Sequence, residues 1–169
     1  MIETNLDSSQ PASITLSAKE HFNVSRTVTF RRTDKLFAYL MIAQWIGGII
    51  AAVALSPKTW AGTNSSVHIH VWTSIFLGAA IIIFPLFLTV RYPGRAITRH
   101  VIAAAQMLMS GLLVHLTGGR IETHFHIFGC LALLSFYGDW TVFITAVSVT
   151  GLDHVIRGVY FPLSIFGVA

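Results

Sequence analysis

Long apolar runs decide what this chain can fold into. Residues 36–55, 71–90, 97–117, 121–137 and 140–155 are almost without charge, and short segments carrying Pro, Gly, Lys, Arg or Asp separate them. A helix needs about 20 apolar residues to cross a hydrocarbon core of about 30 Å. The first three runs reach that length and the last two approach it. The pattern predicts an all-α, polytopic membrane helix bundle of about five transmembrane helices joined by short loops. Composition agrees: 11% of the residues are charged, against roughly 25% in soluble domains, too few to coat a water-soluble globule. A soluble enzyme, a disulfide scaffold and a disordered tail are excluded together. The lone Cys130 has no partner for an intramolecular disulfide.

The chain divides at residue 35. Residues 1–35 are polar, basic and rich in Ser and Thr, without the apolar segment of a cleavable signal peptide. Residues 36–169 form the bundle, and the last stretch, 160–169, contains Pro162 and is too short to cross, which predicts an interfacial position. Pro85 is a kink candidate in the second run, and Gly118, Gly119 and Gly138 are stop signals. No repeat of 20 to 50 residues is present. Of the eleven Lys and Arg, eight (Lys19, Arg26, Arg31, Arg32, Lys35, Arg91, Arg95, Arg99) fall on one side by alternation and three (Lys58, Arg120, Arg157) on the other. The positive-inside rule then places the N-terminus in the cytoplasm. The basic balance is accounted for by this asymmetry and by membrane lipid, and nucleic acid is not expected as a partner.

The same alternation sorts the eight histidines. His68 and His70 precede the second helix, His115 lies in the last turn of the third, Glu122, His124 and His126 open the fourth, and Asp153 and His154 lie near the end of the fifth. Six histidines and two acids therefore gather at the outer leaflet, while His100 lies at the inner end and His21 in the tail. Ionisable groups at membrane depth are costly and usually mark a site. Glu122 and His126, four apart, are expected to share a helix face, with His124 pointing elsewhere. Imidazoles with carboxylates suit zinc, copper, iron or nickel, and the excess of ligands over a tetrahedral set allows two ions. The alternatives are an interfacial hydrogen-bond network and a bis-histidine haem b, for which Ser110, Gly111, Gly129 and Gly151 offer slots. Met107 and Met109 are read as packing, Trp60, Trp72 and Trp140 as interfacial anchors.

Residues 97–100 (ITRH), 115–129 (HLTGGRIETHFHIFG) and 153–158 (DHVIRG) carry a resemblance over about residues 34–168. They look like the N-terminal membrane region of bacterial sensor histidine kinases, diguanylate-cyclase-type proteins and chemotaxis receptors. The resemblance implies a membrane input module of the bacterial inner membrane. No kinase, cyclase or methyl-accepting segment occurs in these 169 residues, so the module is expected to act through a homo-oligomer or a separate membrane or signalling protein. The expected function is binding of a transition metal (copper, iron or zinc) through His68, His70, His115, Glu122, His124, His126, Asp153 and His154, for metal, oxygen or redox sensing. A binding role is expected ahead of catalysis. The other classes kept open are a haem or di-iron oxidoreductase or electron-transfer subunit, and a structural subunit of a larger membrane complex.

Overall fold

The computed structural model describes residues 10–55, 58–61, 64–67, 69–162 and 165, with side chains for 19–55, 69–162 and 165. Five α-helices and one two-stranded hairpin follow in order: α1 Gln10–Leu55, β1 Lys58–Ala61, β2 Asn64–Val67, α2 Ile69–Arg91, α3 Ala96–Leu116, α4 Ile121–Leu134 and α5 Trp140–Tyr160. Four of them, α1, α2, α3 and α5, are long and apolar enough to cross a membrane. The expected all-α bundle is therefore present. Its exterior is apolar: Ile50, Phe76, Phe84 and Val147 are all more than half exposed, as side chains that face lipid rather than water must be.

α3 is the central element and packs against each of the other four helices. In its most apolar window 61% of the residues are buried, against 11% for α5. Small residues make this possible, because Ala103, Ala105, Ser110 and Gly111 are all buried and let the neighbouring helices approach. Met107 and Met109 are 3% and 1% exposed, which bears out their reading as packing residues.

Two differences from the sequence reading matter. The first is that no break occurs at residue 35: α1 is continuous from Gln10. Pro11 stands in the first turn, where its missing N–H costs nothing, and no Gly or Pro follows before Gly47. Thr27 and Thr29 return their hydroxyl protons to the carbonyls of Asn23 and Ser25 (2.8 and 3.1 Å) instead of competing for helix bonds. Residues 19–29 are all exposed, so α1 extends outside the core as an arm, these 11 residues alone covering about 16 Å at 1.5 Å per residue. The second is that the segment read as a loop pairs β1 with β2 in antiparallel register, from Lys58 opposite Val67 to Ala61 opposite Asn64.

α4, with 14 residues, covers only about 21 Å. A 3-10 turn, Ser135–Tyr137, extends it, and Gly138, at φ +57°, ends the run in a conformation that a side chain disfavours. The segment nevertheless crosses the bundle. The Tyr137 hydroxyl donates to Asp34 Oδ1 (2.7 Å), and Asp34 Oδ2 accepts from the Gly94 amide (2.6 Å). Arg99 Nε donates to Asp139 Oδ2 at 2.8 Å. α1, the α2–α3 turn and the end of α4 thus meet in one layer. The hairpin and the turn through Gly118 and Gly119 (φ +71° and +74°) lie at the other end, called the hairpin end below.

Candidate functional site

At the hairpin end the described histidines come from the first turn of α2, the last turn of α3, the first half of α4 and the last part of α5. His68 lies outside the described residues. The gathering at one end is present, but the side chains divide into three groups. Among the described residues no three His, Cys, Asp or Glu side chains stand close enough to share an ion. The helical repeat explains part of this. His124 and His126 are about 200° apart around α4 at 100° per residue, so they face different neighbours.

The first group pairs His70 with His115 across α2 and α3, ring centres 5.3 Å apart and planes at 63°. The second group surrounds His126, which turns into the bundle interior. Ser110 Oγ gives its one proton to the Gln106 carbonyl (2.9 Å), so His126 Nδ1 must donate to Ser110 Oγ (2.9 Å). His126 Nε2 then accepts from Gln44 Nε2 (3.0 Å), and Gln106 Nε2 donates both to Gln44 Oε1 (2.7 Å) and to Cys130 Sγ (3.0 Å). Ring and amide orientations follow from this partner logic. With both nitrogens engaged, His126 has no lone pair free for a metal, and Glu122, exposed one turn earlier, does not join it. Glu122 and His126 stand four apart on α4, but their side chains do not meet, because Gln44 and Ser110 on other helices claim the imidazole.

The third group is formed by His124 and His154, on α4 and α5, ring centres 5.7 Å apart and planes at 69°. His124 Nδ1 lies 3.0 Å from the Arg120 carbonyl, and His154 Nδ1 lies 3.0 Å from the Thr150 carbonyl. A carbonyl only accepts, so in both rings Nδ1 carries the proton and the neutral ring keeps its lone pair on Nε2. The two rings stand at one end of a groove of about 310 Å³ between α4 and α5, whose other lining includes Ile127, Phe128, Leu131, Val147 and Gly151. Gly151 has nothing within 4 Å of where a Cβ would stand.

Asp153 is engaged elsewhere. Arg157, one turn on, donates Nε to Asp153 Oδ1 (2.9 Å) and Nη2 to Asp153 Oδ2, and its Nη1 donates to the Gly111 carbonyl on α3 (3.1 Å). Asp153 Oδ2 also stands 3.6 Å from His154 Nδ1. His100, at the opposite end, bonds through Nδ1 to Thr145 Oγ1 at 2.8 Å and belongs to none of these groups.

Sequence reasoning passed over Gln44 and Gln106 as site residues, whereas the hydrogen-bond-network alternative has Asp153 paired with Arg120 or Arg157, and Arg157 is the partner found. Two amides in the middle of apolar runs were the available signal, since polar groups at membrane depth seek partners on other helices. Compared with known proteins, the chain matches no family model, no curated protein and no solved structure.

Proposed function

We propose that the chain is an input module of the bacterial inner membrane that binds a transition metal between α4 and α5 through Nε2 of His124 and Nε2 of His154. The observation that carries this reading is the pair of Nδ1–H bonds to main-chain carbonyls. Ring proximity alone would not carry it, because edge-to-face packing gives similar separations. Bonds from the second nitrogen to a carbonyl are how metal-ligating imidazoles are held in the correct tautomer and orientation. With metal–nitrogen bonds of about 2.0–2.1 Å, two imidazoles on one tetrahedral ion place their ring centres roughly 5 Å apart, near the separation found here. Copper, iron and zinc all accept imidazole. Two protein ligands leave positions open, which suits sensing of a small molecule or of redox state.

His70 and His115 form a further pair at the same end, whereas His126 is assigned to the interior network. Occupancy of the α4–α5 pair would draw these two helices together at the hairpin end. Their opposite ends bear on α3 through Asp139 and Arg99 and on α1 through Tyr137 and Asp34, so the change reaches the exposed α1 arm, where a partner protein would read it. The eight-to-three division of Lys and Arg supports placing that arm in the cytoplasm.

A second reading, haem b, is favoured by the apolar groove beside the same two rings and by the open space at Gly151. A macrocycle would supply the ligands that the protein does not.

The test is elemental analysis of protein purified without a histidine tag. About one metal per chain is expected, lost in His124→Ala and in His154→Ala and kept in His100→Ala. Equal metal in all four proteins, or none in the parent after reconstitution, would overturn the reading. An intense visible band that is lost with the metal in the two histidine variants identifies haem.

A further inference from the structure

A second groove, separate from the His124–His154 pair, runs between α2, α3 and α5. It encloses about 310 Å³, with Leu77 and Ile81 from α2 and Leu108 and Leu112 from α3 on its walls, and His115, Asp153 and Arg157 also line it. His115 is the penultimate residue of α3 and Arg157 lies in the last turn of α5, so both polar groups stand at the hairpin end of an apolar trough. Leu77 and Leu108 are 48% and 43% exposed, so the trough opens sideways to lipid. We propose that this groove binds an uncharged, carbonyl-headed membrane amphiphile of the quinone class, its head at His115 and Arg157 and its tail along the leucine-lined wall.

Three observations select that chemistry. The guanidinium has five N–H groups, of which Nε–H and one on Nη2 go to Asp153 and one on Nη1 goes to the Gly111 carbonyl. Among the described residues the remaining two have no acceptor, and beside lipid an unmatched donor is costly. Asp153 cancels the charge of Arg157, so an anionic head would meet the carboxylate and a cationic head the guanidinium, whereas a neutral acceptor meets neither penalty. Glycine at 111 allows this seating, since a Cβ there would stand 3.1 Å from both Arg157 Nη2 and Asp153 Oδ2.

His115 distinguishes a quinone from other carbonyl compounds. Unlike His124, His126 and His154, it makes no ring-nitrogen hydrogen bond among the described residues, so none of them fixes its tautomer. It can donate to a quinone carbonyl or accept from the hydroxyl of the reduced form. A glycerolipid ester offers only the carbonyl.

The experiment measures equilibrium binding of a short-chain benzoquinone, decylubiquinone, to the full chain in phosphatidylcholine nanodiscs. We expect one saturable site per chain above the partitioning into empty discs. Leu108→Trp, which fills the trough, and His115→Phe should each weaken binding at least tenfold. Ile83→Trp, on the lipid face away from the groove, should leave it within twofold. Laurate should not displace the quinone. Binding indistinguishable from empty discs would mean that the abundant lipid esters fill the groove, and would overturn the proposal. Displacement by laurate, or equal affinity in Leu108→Trp, would overturn it as well.

Discussion

Replacing Asp34 tests the layer that closes the bundle opposite the hairpin. Asp34 is fully buried, and its two oxygens accept from the Gly94 amide at 2.6 Å and the Tyr137 hydroxyl at 2.7 Å. One carboxylate therefore ties α1 to the α2–α3 turn and to the end of the α4 segment. In Asp34→Ala both donors lose their acceptor, and a buried group left unsatisfied costs about 1–3 kcal/mol, giving roughly 2–6 kcal/mol in all. Tyr137→Phe keeps the ring, which stacks on Phe37 at 5.6 Å, and removes one donor. Hydrogen bonds to charged groups contribute about 1.5–3 kcal/mol, whereas double-mutant cycles within a bilayer have averaged about 0.6 and reached about 1.7. The expected coupling between Asp34 and Tyr137 is therefore about 1.5 kcal/mol. It is measured by equilibrium unfolding of the two single variants and the double variant in mixed micelles, titrated with SDS and followed by tryptophan fluorescence. Additive effects, with coupling within about 0.3 kcal/mol of zero, would refute the contact. They would also remove the argument that α4 and its 3-10 turn cross the whole bundle.

Gly78→Ala should cost about 1–3 kcal/mol by overpacking, because the new Cβ would fall 2.6 Å from Trp45 Cδ1, and moving the indole breaks its Nε1–H contacts with the Ser74 and Ile75 carbonyls (both 3.2 Å); a neutral result in the same unfolding assay would contradict the α1–α2 packing. Burial pushes the Asp139 carboxyl up, but bonds from the Thr141 hydroxyl and amide and the neighbouring Arg99 guanidinium outweigh it and hold it below the ordinary carboxylate value. Its stabilisation is therefore complete above about pH 3.9 and lost as pH falls through the folded-state value; Asp139→Asn should flatten that acid limb in a pH series of unfolding midpoints, and an unchanged limb would reject the assignment. In a Cys130→Ala background, single cysteines at Arg95 and Arg120 should label from opposite sides of the membrane with an impermeant thiol reagent, the Arg120 position from outside; labelling from the reverse sides would invert the proposed orientation.

Much of the fold was legible because apolar run length and glycine stops are local signals. The turns at Gly118, Gly119 and Gly138 fall where the sequence places them, and the start of α5 at Trp140 follows from Asp139, whose side chain accepts from the Thr141 amide as an N-cap. The α1 arm was not legible, because Ser, Thr and Arg in residues 12–35 lower apolarity without breaking a helix. The gathering of histidines at one end followed from topology alone. Its division did not, since the facing of each ring is decided by residues far away in sequence: Gln44 and Ser110 draw His126 inward, and the Arg120 and Thr150 carbonyls orient His124 and His154. Asp153 looked like a ligand until Arg157, seated on Gly111, claimed both of its oxygens.

X-ray absorption at the edge of the metal bound by the purified chain distinguishes the His124–His154 pair from the interior network around His126. Two imidazole nitrogens are expected at about 2.0–2.1 Å, with the outer-ring scattering of imidazole present in the parent protein and in His126→Ala, and absent from any metal retained by a His124→Ala, His154→Ala double variant. A spectrum without imidazole scattering, or one that the double variant leaves unchanged while His126→Ala abolishes it, would contradict the account and move the site into the interior network.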